Sequence, residues 1–501
     1  MNAYTIFLFS VSSKSAILDL GIFNLKAYLS QDETVSHRIK VVTRIFKPRS
    51  YSHHLGGFMI SVPSHYLRRI ADEIKSHHPH MVGFSCSVKN FDVMIQVARY
   101  IKRESPTTLI VFGGPEIHQE LVFSPEKDIR KGPIDIAVLH DGEITFARLV
   151  NHILEKKPLH AISDIYFKKN GKLYRTRRGS ASNLSLLPSP FLTHSVPSIG
   201  KKTTKSVIEN SRGCPFRCSY CTYPLSYFGT LRYFPLEKTL QELRFLLEKK
   251  IKLLFIVDDN FDIFPQRSMA ILKTYLGANS STQLMVYFNA SRQIIGKEFV
   301  TLLAKSHIII TIGVQTTNKH ALALANRNTN LATLETNLRT MDKAGVKYRL
   351  EFIEGLPGDS YETIKSTIDW LFRFRASHVF FYRLLILKGT SFQQNTKRLG
   401  ITYEQRPPFM IRKTKTFSPT DLVRSAKLCF TVSTIYNTPR TRRLLELTAS
   451  RRKLPVSTML EEIAQNVSKS KNNSEKHQVE SVIQKNIMKW YTIGAHARAK
   501  N

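Results

Sequence analysis

Three of the chain's five cysteines fall within eight positions, in the stretch Ser211-Arg212-Gly213-Cys214-Pro215-Phe216-Arg217-Cys218-Ser219-Tyr220-Cys221. Three thiolates this close can bind three irons of a [4Fe–4S] cube and leave the fourth iron without a protein ligand. An iron open to substrate turns an electron carrier into a catalyst. Structural zinc is the competing reading, but zinc takes four ligands, usually from paired short-spaced motifs. Here Cys86 and Cys429 are isolated, so no second pair exists.

The elements that must hold this loop can be read from periodicity. Strand-like runs at Ser206–Asn210, Leu253–Asp258, Met285–Asn289, Ile308–Val314, Tyr348–Ile353 and His378–Leu387 alternate with helical segments such as Leu236–Lys249, Leu331–Ala344 and Tyr361–Phe374. Six βα units predict a partial barrel over residues 206–395, with its chemistry at the strand C-termini, where the cysteine loop falls. Residues 1–160 carry an earlier βα series, with strands at Tyr4–Phe9, Arg38–Ile45, Met81–Ser85, Thr108–Phe112 and Ile134–Leu139. This predicts a doubly wound, Rossmann-like parallel sheet with ligands at the strand carboxyl ends. Those ends carry Ser10, Ser85, Gly113-Gly114 and Asp141-Gly142-Glu143, whose small residues let a large flat ligand approach the backbone. Residues 161–205 read as a hairpin about Asn170-Gly171 followed by a Pro-rich linker. Residues 396–501 read as basic and mostly helical, with a polar loop at Ser468–His477.

Composition bounds the rest. A chain of 501 residues with 42% hydrophobic content can bury two or three cores. No apolar run approaches the ~20 residues needed to span a bilayer. Five cysteines in a chain this long are no disulfide framework, and their clustering argues for metal in a reducing compartment, the cytoplasm. The net charge of +36 attracts polyanions or acidic partners. From residue 397 onward there are 21 Lys/Arg against 7 Asp/Glu, so most of the excess is spread over the rest of the chain. A dedicated nucleic-acid module would concentrate it, so a nucleic-acid partner is possible but not favoured.

Cys214-x3-Cys218-x2-Cys221 just after a strand, with an aromatic (Tyr220) before the last cysteine, resembles the radical S-adenosylmethionine (SAM) superfamily. The resemblance implies that the unique iron is chelated by SAM and that one electron from the cluster releases a 5′-deoxyadenosyl radical. It also places SAM contacts along the strand ends. Asp258-Asp259-Asn260 stands where many members have Gly-Gly-Glu for the SAM amine. Arg292 could pair with the SAM carboxylate or form an exposed ion pair. Gln315 lies in a Gly-x-Gln segment, Tyr220 would pack near adenine, and Ile386 lies in a stretch similar to the family's sixth-strand Leu-Pro-Gly-Thr, with Lys388 in place of proline.

A doubly wound domain directly before such a barrel resembles the cobalamin (B12)-binding radical SAM enzymes. The matching pieces are Val82-Gly83-Phe84-Ser85, Val111-Phe112-Gly113-Gly114-Pro115-Glu116 and Asp135 through Glu143. Ser10, Ser85, Gly113, Gly114, Gly142 and Glu143 would line the cobalamin site. No Asp-x-His-x-x-Gly follows the first strand, so cobalamin would carry no histidine on cobalt. The resemblance implies a methyltransferase acting on an unactivated carbon of a peptide or small-molecule natural product. B12-dependent cyclisation or rearrangement, and RNA modification, are the alternatives. A low-potential donor such as flavodoxin or ferredoxin is the implied partner. The residues leave the substrate and any catalytic acid or base unassigned.

Overall fold

The computed structural model describes residues 3–467, apart from 13–18, 48–51, 55–56, 61, 118–131, 198, 200–203 and 228. The expected polar loop at Ser468–His477 lies outside the described residues. Two parallel sheets in one chain position everything that follows.

The first sheet is built on β1 (Tyr4–Val11), whose run of apolar residues is buried on both faces, as a central parallel strand requires. Around it lie β2 (Ile39–Phe46), β3 (Met81–Ser85), β4 (Leu109–Gly113) and β5 (Ile136–Val138), in the parallel order β2-β1-β3-β4-β5. The order reverses at β1, and in doubly wound folds the crevice beside such a reversal is where ligands bind. Helices α1 (Leu20–Gln31), α2 (Ser64–Lys75), α3 (Phe91–Glu104) and α4 (Gly142–Leu154) connect the strands. The hairpin β6 (Ile165–Lys169) and β7 (Lys172–Arg175) does not stand apart as a bridge: β6 pairs antiparallel with β5, so the hairpin completes the first sheet as its seven-stranded edge. Its buried Ile165, Tyr166 and Phe167 explain why it docks.

The second sheet holds β8 (Lys205–Ile208), β9 (Leu253–Ile256), β10 (Gln283–Phe288), β11 (Ile308–Gln315), β12 (Tyr348–Glu354) and β13 (His378–Arg383). All neighbours are parallel and the spatial order follows the chain, which is the six-unit open barrel expected. One parity of each strand (Leu254, Val286, Ile310, Leu350, Val379) is fully buried under the surrounding helices, and the other faces the lumen. The last strand ends at Arg383, short of the expected Leu387. Beyond it, Leu384 and Ile386 bond instead to the segment ending in Ile411: the Ile386 amide donates to the Phe409 carbonyl and Leu384 accepts from Ile411.

The last described helices are α5 (Pro419–Tyr436), α6 (Pro439–Arg452) and α7 (Val456–Val467). Helix α5 opens on an N-cap in which Ser418 Oγ accepts from the Asp421 amide. It packs on the outer face of β13, and Glu461 of α7 joins Tyr361, Lys365 and Arg424 through three bonds of 2.9–3.0 Å. These helices brace the barrel from outside. Cys429 is buried within α5. No helix among the described residues is long and apolar enough to cross a membrane.

Candidate active site at the domain interface

The cysteine loop leaves β8 and is fixed from β9. Asp258 accepts from the Asn210 amide (3.2 Å), Asn210 Nδ2 (2.5 Å) and the Ser211 amide (2.8 Å). Burial pushes its carboxyl up while these donors pull it down. The sequence reading placed Asp258 on SAM, but one oxygen is spent on the Asn210 and Ser211 amides and the other on the Asn210 side chain, which makes it a positioning residue. The neighbouring Asp259 makes no hydrogen bond among the described residues. Its side chain opens into the barrel mouth, but the surrounding protein and then Asp258 push the carboxyl up to about 7.

Each cysteine sulfur has an N–H donor. Asn260 Nδ2 lies 3.4 Å from Cys214 Sγ, the Tyr223 amide 3.4 Å from Cys221 Sγ, and Arg327 Nη1 3.9 Å from Cys218 Sγ. Such donors favour the thiolate. Burial, reinforced by Asp259, still pushes Cys214 up to about 11 and Cys221 up to about 12. Cys214 and Cys221 are therefore protonated near neutral pH as free thiols, and metal binding must release those protons. Among the described residues no three His, Cys, Asp or Glu side chains converge to hold one ion. This fits thiols that each take a different iron and does not fit mononuclear zinc. Gly213, at φ +92°, lets the loop pass the Thr230 carbonyl, where any Cβ would collide.

Arg327 has no motif to announce it. Its Nη2 donates to the Gly313 carbonyl and its Nη1 lies 3.4 Å from the Tyr220 hydroxyl, so it ties the cysteine loop to the exit of β11. Gln315 sits at that exit with φ 69° and a break in register against β12. Its amide folds over Gly313, where a Cβ would meet Gln315 Nε2 at 2.5 Å. Two other expectations change. Arg292 is exposed and rests on the Phe216 ring at 4.9 Å, so its contact is with the cysteine loop. Ile386 is fully buried with its amide bonded to Phe409, so that N–H is not free for adenine.

Facing the barrel mouth, a cavity of about 600 Å³ lies between the two sheets. On one side it is lined by the loops after β1, β3, β4 and β5, including Ser85, Gly113, Gly114, Gly142 and Glu143. On the other it is lined by Val207, Glu209, Arg212, Tyr227, Phe255 and Val257. Gly114 has φ +101°, and a Cβ there would sit 2.6 Å from the Cys86 carbonyl. Glycine thus keeps the floor flat. With walls of Leu20, Ile22, Val111, Val138 and Phe146, the cavity suits a broad apolar ring. Ser10 is set behind the wall: it is fully buried and donates to Asp19, which also accepts from Ser85 Oγ at 3.2 Å. His140 is the cavity's one histidine among the described residues. Its Nδ1 lies 3.2 Å from the Ser226 carbonyl and its Nε2 3.9 Å from the Asp164 carboxylate.

Glu143 proves to be half of an interdomain lock. Arg212, two residues before Cys214, donates to Glu143 through Nη1 (3.0 Å) and Nη2 (2.7 Å), and its Nη2 also reaches Glu209 at 2.7 Å. Asp141 lies 3.5 Å from Arg212 and 2.6 Å from Arg232. Arg212 and Glu143 are each about 5% exposed, so charge is buried where the front domain meets the cysteine loop. The carboxylate expected at the cofactor is committed to an arginine. The sequence hint was an arginine beside the cysteines and an acidic turn elsewhere, with nothing in the spacing to pair them.

A loop of three thiols able to hold three irons of a four-iron cube, set at the strand ends of an open parallel barrel, belongs to an enzyme that cleaves SAM reductively. The flat-floored domain facing it adds a cradle for a broad apolar ring. The comparisons agree. Residues 208–371 match the Radical SAM superfamily profile and residues 11–150 match the B12 binding domain profile. An uncharacterized methyltransferase of Pyrococcus horikoshii is 25% identical over 68% of this chain and 71% of its own length. The cobalamin-dependent radical SAM methyltransferase TokK of Streptomyces tokunonensis is 24% identical over 58% of this chain, which spans only 44% of TokK. Among solved structures, the cobalamin-dependent radical enzyme OxsB superposes with a TM-score of 0.64 at 14% identity, covering 99% of this chain and 80% of OxsB. The chain belongs to the cobalamin-binding radical SAM enzymes.

Proposed function

We propose that the protein is a cobalamin-dependent radical SAM methyltransferase that methylates an unactivated carbon of a peptide or small-molecule natural product. The observation that carries this reading is the single cavity that joins the glycine-floored loops of the first sheet to the mouth of the barrel holding the cysteine loop. When bound, the cluster and SAM supply a 5′-deoxyadenosyl radical, and cobalamin supplies a transferable methyl.

The chain's own residues divide the work. Cys214, Cys218 and Cys221 hold three irons, and the donors from Asn260, Tyr223 and Arg327 support the charge on sulfur. Asp259, unpaired and facing the barrel mouth, takes the SAM ammonium, and Gln315 and Tyr220 border the same space. Ser85, Gly113, Gly114 and Gly142 form the cobalamin floor. Arg212 and Glu143 hold the two halves in register. A second cleft, lined by Arg175, Arg178, Arg217, Cys218 and Cys221, gives an acidic flavodoxin or ferredoxin a basic approach to the cluster. The reading of the free thiols as ligands of an oxygen-sensitive cluster supports a reducing, cytoplasmic location.

The test is anaerobic reconstitution with iron, sulfide, cobalamin, SAM and a low-potential reductant, followed by product analysis. The expected products are 5′-deoxyadenosine together with S-adenosylhomocysteine. 5′-Deoxyadenosine alone, with a substrate that loses hydrogens, would assign cyclisation instead.

A further inference from the structure

The lumen face of the barrel carries charge that the site above does not use. Barrel interiors are normally filled with branched apolar side chains. Here the lumen positions of β12 are Arg349 and Glu351, two residues apart on one face and of opposite sign. Neither has an ion-pair partner among the described residues. Arg349 Nη1 reaches only Met285 Sδ, at 3.9 Å, and its Nε is buried with no acceptor. Glu351 accepts one long bond, 3.4 Å, from the Tyr382 hydroxyl.

Opposite charges that lie this close and leave each other unpaired bear a desolvation cost that a bound ligand can offset. The wall around them is aromatic. Phe255, which lines the cofactor cavity, meets Tyr287 edge-on at 5.6 Å. Phe380 stacks on Tyr382 at 6.3 Å and pairs with Glu351 across the sheet. This surface therefore continues from the cavity into the barrel. Burial, then Glu351 and Asp259, push the Tyr287 hydroxyl up to about 12 against the opposing pull of Arg349.

We propose that Arg349 and Glu351 form the substrate-recognition site, and that the substrate presents a zwitterion: a carboxylate held by the Arg349 fork and a protonated amine held by Glu351 against the aromatic wall. The guanidinium plane matches a carboxylate, and the rings present their negative faces to the ammonium. Free amino acids and compounds that keep both amino-acid end groups are the class that satisfies both charges. The inference rests on the methyltransferase reading.

The test is calorimetric binding to the reconstituted holoenzyme of the proteinogenic L-amino acids, each also as its N-acetyl and methyl-ester derivative. At least one free amino acid is expected to bind saturably and to weaken by roughly tenfold or more on either blockage. Glu351→Gln is expected to remove the preference for the free amine, and Arg349→Met the preference for the free carboxylate, each without loss of bound iron or of far-ultraviolet circular dichroism. No binding by any member, binding indifferent to both blockages, or variants with parental preferences would overturn the proposal. If the unvaried holoenzyme moves no methyl from SAM to cobalamin, the methyltransferase reading fails instead, whatever the binding result.

Discussion

Asp258 and Asp259 are adjacent, chemically identical and differently employed. Asp258 spends its oxygens on Asn210 and Ser211, whereas Asp259 has no hydrogen-bond partner among the described residues. The variants should therefore separate. Asp258→Ala leaves buried donors unpaired, so it should lower thermal stability and iron loading together; each orphaned donor costs about 1–3 kcal/mol. Asp259→Asn should keep the melting temperature and iron content but weaken SAM binding by about tenfold or more, since it removes a charge-assisted contact. Equal effects from both variants would contradict the division. The cysteine trio was legible from spacing alone because the ligands come from one loop. The roles of the two aspartates, and of Arg327, were not legible, because which oxygen faces backbone and which faces open space is decided by residues 48 or 109 positions away.

At the scale of elements, two joints position the site. The first is Arg212, buried with Glu143, Glu209 and Asp141 around it. Arg212→Met would leave these carboxylates without that cation, at a cost of about 3–5 kcal/mol. A urea melt should show that loss, or the front domain opening as a separate transition. The second joint is the turn after β12. There Asp359 accepts from Thr316, Asn318 and Thr363, tying it to the exit of β11, while its other oxygen is buried without a donor.

Burial outweighs those three donors and raises Asp359 from 3.8 to about 6. A folded value above the unfolded one favours the protonated folded state. Its contribution is thus complete below about pH 4 and lost as pH rises through about 6, by roughly 3 kcal/mol at most. Urea melts at about pH 4 and about pH 7 should show that decline. Asp359→Asn should flatten it, and an unchanged slope would contradict the assignment. The strands and helices themselves were readable because their apolar periods are regular. The errors came at ends, where β13 stops at Arg383 and the hairpin joins the first sheet, because tertiary pairing decides both.

At the scale of the whole molecule, the two sheets share one cavity, and the positive charge has a place to act. If the Arg175–Arg178 cleft receives the electron donor, Arg175→Glu with Arg178→Glu should weaken flavodoxin binding by about tenfold or more and flatten its salt dependence. SAM cleavage driven by dithionite should persist. The front domain was legible as a generic doubly wound fold, but its purpose became readable only beside the barrel. The substrate was not legible, since the lumen pair Arg349 and Glu351 reads in sequence as an ordinary alternating strand.

The most direct test of the central claim is to incubate the anaerobically reconstituted protein with cobalamin, reductant and SAM labelled in its methyl group. The account predicts labelled methyl recovered on cobalamin with matching S-adenosylhomocysteine, and 5′-deoxyadenosine that vanishes in Cys218→Ser. No retained cobalamin, or no label on it while 5′-deoxyadenosine still forms, would contradict it.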